Sequence, residues 1–103
     1  MQHQLVLQFR RSSTEELGYV AGLEDGLGKT LGDSVEMDGH DVGPRMVNLF
    51  ILTTDPGSAF RRSKPVLEGL GLLDKVTAAH RVVGGSRFKV IWPLRVRGKF
   101  KVA

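Results

Sequence analysis

The sequence predicts an α+β domain of two layers, one sheet backed by two helices. Three observations carry that expectation. Apolar residues recur at period two in some stretches and at threes and fours in others, so strand-like and helix-like segments share one chain. Helix-start signals at Ser12 to Glu16 and Asp55-Pro56 each follow directly on a strand-like run. The proportions of hydrophobic residues (41%) and charged residues (25%) are those of an ordinary globular protein. With 103 residues the chain can bury one core and is too short for two. One domain is expected over residues 1–94, followed over 95–103 by a basic tail or a short edge strand.

His3 to Phe9 places Leu5, Leu7 and Phe9 on one face and Gln4, Val6 and Gln8 on the other, the pattern of a half-buried strand. Ser13 with Glu16 forms a capping box, and Leu17, Val20, Leu23, Leu27 and Leu31 then recur at helical spacing up to Gly32, a left-handed stop. The glycines at 18, 22, 26 and 28 weaken this helix, by about 0.5–1 kcal/mol each relative to alanine, so it depends on tertiary packing. Ser34 to Met37 reads as a short strand, and Asp38-Gly39-His40-Asp41-Val42-Gly43-Pro44 as a dense turn signal. Met46 to Thr53 is nearly continuous in apolar residues, as a central strand should be.

Asp55 as N-cap and Pro56 at the first helical position open a second helix whose apolar face is Ala59, Phe60, Val66, Leu67 and Leu70; Pro65 interrupts it and Gly71 closes it. Val76 to Val83 and Arg87 to Trp92 flank Gly84-Gly85-Ser86, which reads as a hairpin. The order βαββαβ plus an extra C-terminal strand is the ferredoxin-like plan, with both helices on one sheet face. The other face, with Val6, Gln8, Asn48, Phe50 and His80 as candidates, is expected to be open to solvent or to a partner.

The absence of cysteine excludes disulfides, thiolate metal sites and cysteine nucleophiles. Apolar runs such as Leu49 to Leu52 fall far short of the roughly 20 residues needed to span a bilayer, so no membrane partner is expected. Nor does the N-terminus show the basic and apolar regions of a secretory leader, and a cytoplasmic protein is expected. The net charge of +4 hides a polarity: residues 1–43 carry eight acids and three bases, residues 44–103 three acids and twelve bases. Beyond Asp74 there is no acid. Arg81, Arg87, Lys89, Arg95, Arg97, Lys99 and Lys101 therefore form a candidate nucleic-acid surface, against the plainer reading of a solvated basic face.

Asp38, His40 and Asp41 are the candidate metal ligands, because carboxylates with an imidazole can hold a divalent cation. Three donors within four residues seldom complete a shell without distant help, and Asp and His are ordinary turn residues. The same loop can serve acid-base chemistry, with Asp41 orienting His40, but no second catalytic partner is legible. Gly28-Lys29-Thr30 imitates the end of a phosphate loop, yet it lies inside a helical pattern behind Glu24 and Asp25, which would repel phosphate. Trp92 reads as a core or edge aromatic, with base stacking as the alternative. Phe9 and Phe50 stand without the basic-glycine-aromatic signature of an RNA-recognition motif.

Glu36-Met37-Asp38-Gly39-His40-Asp41-Val42-Gly43 followed by Asn48-Leu49-Phe50-Ile51-Leu52-Thr53 resembles a pattern in small uncharacterised bacterial proteins of this length, across most of the chain. The resemblance implies a free-standing bacterial domain and assigns no activity or site. The leading expectation is a non-catalytic protein-interaction or regulatory module, without cofactor, that pairs with a protein partner or with itself through a sheet face or edge. Nucleic-acid binding through the basic half is the alternative. A metal-dependent or acid-base enzyme using Asp38, His40 and Asp41 is the second alternative.

Overall fold

The computed structural model describes residues 2–10, 18–43 and 45–93, with side chains omitted for 18–21. The element order is β1 (His3–Arg10), α1 (Gly18–Leu31), β2 (Val35–Val42), β3 (Met46–Thr53), α2 (Pro56–Gly69), β4 (Val76–Val82) and β5 (Lys89–Trp92). One antiparallel sheet takes the strands in the order β2-β3-β1-β4-β5. Among the described residues the fold is therefore α+β, with five strands and two α-helices.

Register decides which side chains meet the helices. Leu5 stands opposite Ile51 and His80, Leu7 opposite Leu49 and Ala78, and Phe9 opposite Val47 and Val76, so these residues share one face. Leu5, Leu7, Phe9, Leu49, Ile51, Val76 and Ala78 pack with Leu23, Leu27 and Leu31 of α1 and Ala59, Phe60 and Leu67 of α2 into one buried cluster. The glycine-rich α1 thus gains its stability from a leucine stripe against the sheet rather than from propensity, as its sequence required.

Both helices stop where a glycine takes a positive φ, Gly32 at 59° and Gly71 at 70°. At α2 the Gly71 amide donates to the Glu68 carbonyl and the Leu72 amide to the Leu67 carbonyl, the paired bonds of a Schellman stop. At its start the Asp55 carboxylate accepts from the Ser58 amide, 3.0 Å away. Arg62 ties the helices together: its guanidinium donates to the Thr30 carbonyl at 2.8 Å and to the Ser34 hydroxyl at 2.8 Å, placing a cation at the negative end of α1. Ser13, the expected cap of α1, lies outside the described residues, as does the basic segment 95–103.

The run from Asp38 to Val42 is not a turn but the second half of β2, which continues through a bulge between Met37 and His40. Gly39 sits in that bulge with φ 86°, so the residue that signals a turn in sequence absorbs an irregularity in a strand instead. The link between β4 and β5 is also longer than Gly84 to Ser86, running from Val83 to Phe88. His80 points to the helix side with Leu5, because the register pairs them, and not to the opposite face.

That opposite face is not the free surface expected. Val6, Asn48 and Ala79 have no exposed surface, Gln8 is buried, and Phe50 is partly buried. The Gln8 side-chain amide donates to the Asn48 carbonyl oxygen at 3.0 Å, a buried polar pair between the central strands.

Candidate functional site

Among the described residues β2 forms one edge of the sheet, and its eight residues are twice the length of β5 at the other edge. There, among the described residues, β2 pairs with β3, and its eight residues alternate between partly buried and exposed positions before ending in a fully exposed stretch. Glu36, Asp38 and Asp41 are exposed, no lysine or arginine interrupts them, and Val42 leaves 38% of its surface to solvent.

The structure does not gather Asp38, His40 and Asp41 into a metal shell. His40 stands opposite Leu49 and Asp41 opposite Asn48, so adjacent residues of one strand point to opposite faces. The His40 Nδ1 is instead paired with the Glu24 carboxylate of α1. No group of three or more histidine and carboxylate side chains converges among the described residues. The helix-to-strand contact at Glu24 is a partner that sequence reading missed, because 16 positions separate the two residues in the chain.

The basic candidates divide. Arg81 is engaged: its guanidinium donates to the Gln4 side-chain oxygen and to the Gly85 carbonyl, both at 3.0 Å, and lies 5.1 Å from the Phe88 ring centre. Arg87 and Lys89 are exposed. Arg95, Arg97, Lys99 and Lys101 lie outside the described residues. Trp92 is committed to the fold, donating its indole N–H to the Leu73 carbonyl at 3.0 Å and packing 5.9 Å from the Phe60 ring. The Lys64 ammonium sits 4.4 Å over the indole, occupying a face that a stacked base would need.

A recess of about 320 Å³ lies beside the first turns of α2, between Asp55, Ser58, Phe60, Arg61, Lys64 and Ile91. It is shallow, and Asp55 already occupies the helix-start position that an anion would take. The Lys29 and Asp25 side chains pair at 3.2 Å on the outer face of α1, which closes the phosphate-loop reading of Gly28-Lys29-Thr30 with an ordinary helical ion pair.

No protein-family model matches the chain, and no curated protein or solved structure matches it either.

Proposed function

We propose that this domain is a non-catalytic interaction module that takes up an extended, basic segment of a partner protein along the outer edge of β2. The observation that carries this reading is the edge itself: eight residues of strand with one side unpaired among the described residues, lined by Glu36, Asp38 and Asp41. An edge strand offers a row of main-chain donors and acceptors to an incoming strand, and its side chains select the sequence that adds. Acids along it disfavour self-pairing of two β2 strands and favour lysine or arginine at alternate positions of the guest. The bulge at Met37/His40 limits how far a guest can run in register.

The strand order supports a ferredoxin-like plan extended by β5, which hosts interaction modules among many other functions. We place the module in the cytoplasm on its lack of cysteine; no helix among the described residues is long and apolar enough to cross a membrane.

The test is an amide-resolved NMR titration of labelled protein with an octapeptide alternating lysine and valine. Amide shifts confined to Val35–Val42, and lost in the double variant Glu36→Lys/Asp38→Lys, are the expected result. Unchanged β2 amides would sink the reading. Shifts at Arg87 and Lys89 on adding a short RNA instead, weakening steeply with salt, would favour the nucleic-acid alternative.

A further inference from the structure

His3 and His80 sit on neighbouring central strands, one step apart along the ladder: His3 faces Val82, and His80 faces Leu5. Their rings meet edge to face with centres 5.3 Å apart. In each ring Nδ1 is shut off from water and has no hydrogen-bond partner among the described residues. Buried polar atoms are almost always satisfied, so two orphaned nitrogens in adjoining rings point to a shared ligand rather than to two separate accidents.

Imidazole nitrogen is a metal donor in its neutral form. The ring spacing is within reach of a shared ion. Two ring nitrogens that each lie about 2.0–2.1 Å from one ion require ring centres no more than about 6.5 Å apart, and these are closer. Because the rings are carried on paired strands, little ordering remains to be done on binding.

We propose that His3 and His80 form a two-histidine chelate for a borderline divalent cation such as zinc, water entering with the ion to complete the coordination at nitrogens that are closed to solvent without it. Imidazole selects late first-row cations over magnesium and calcium. The neighbouring groups set the strength. Opposite His3 stands Thr53, whose hydroxyl already accepts from the Asp55 amide at 3.1 Å. Opposite His80 stands Lys89, whose ammonium opposes a cation, so affinity is modest. His40 takes no part, being paired with Glu24.

The experiment is a titration of the full chain with zinc chloride above neutral pH, followed by NMR of the histidine ring nitrogens, with magnesium chloride as control. The His3 and His80 ring signals should move together and saturate at one equivalent, the His40 ring should stay still, and magnesium should do nothing. His80→Gln should weaken zinc binding about tenfold or more. Lys89→Gln should tighten it by a few-fold, an effect that a merely structural histidine pair would not produce; backbone amide spectra establish that each variant is folded. Ring signals unmoved by excess zinc would overturn the proposal, as would zinc binding that survives His80→Gln or centres on His40. Should His80→Gln prove unfolded, an affinity unchanged or lowered in Lys89→Gln would overturn it.

Discussion

At His80, burial, the His3 ring and the Lys89 ammonium all act against the imidazolium, in that order of size. The folded-state proton affinity is therefore lower than that of the unfolded chain, whose ordinary value is 6.5. A group with that shift contributes stability in full above pH 6.5 and loses it as the pH falls from 6.5 through its lowered folded value. The difference in unfolding free energy between the natural protein and His80→Gln, from urea denaturation in the absence of metal, should be constant above neutrality. It should shift against the natural protein as the solution is acidified. A difference independent of pH would mean that the ring titrates as freely folded as unfolded. The sequence places His80 on a strand, but which face it takes depends on pairing with β1, a strand 70 and more positions away, and no local pattern encodes that. The same holds for His40: Asp41 is its neighbour in sequence, and alternation sends the two apart, leaving Glu24 of α1 as the partner.

Elements whose signals are local were legible, and α2 is the clearest. Asp55, Pro56 and Gly71 are each read from one position, and each occupies its expected place at the ends of the helix. Asp55→Ala should cost about 1 kcal/mol, the usual worth of an N-cap, measured as a lower urea midpoint with unchanged slope. Gly71→Ala should cost about 1–2 kcal/mol for a different reason: the space around its Cβ is open, and the loss comes wholly from forcing an L-residue to φ 70°. If both variants keep the natural midpoint, α2 is held by its packing against β1 and not by its ends. β2 was misread by the same local logic. Asp38, Gly39 and Gly43 are turn-forming residues, and only pairing with β3, with Gly39 taking up the bulge, makes a strand of them. Arg62 is likewise silent in sequence, since its role at the end of α1 exists only once α1 and α2 lie side by side.

At the scale of the whole molecule, the charge polarity of the sequence becomes a polarity of the sheet. Glu36, Asp38 and Asp41 line the β2 edge, while Lys89 opens β5, with Arg87 just before it in the link, at the opposite edge among the described residues. Two edges of opposite sign invite pairing of one copy's β5 with another's β2, a head-to-tail contact that does not close on itself. Against this stand the brevity of β5, four residues, and the bulge in β2; both limit the ladder that two copies can share. Any self-association should therefore be weak and governed by salt. Sedimentation velocity at high protein concentration should show a sedimentation coefficient that rises with concentration at about 20 mM salt and is constant at about 500 mM, where the Debye length falls to a few Å. Glu36→Lys/Asp38→Lys should remove the low-salt rise. A monomer under both conditions would leave the β2 edge for a different chain, because four residues of β5 then cannot supply the complementary strand that β2 can accommodate, and the guest must be longer and more basic than this sheet's own far edge.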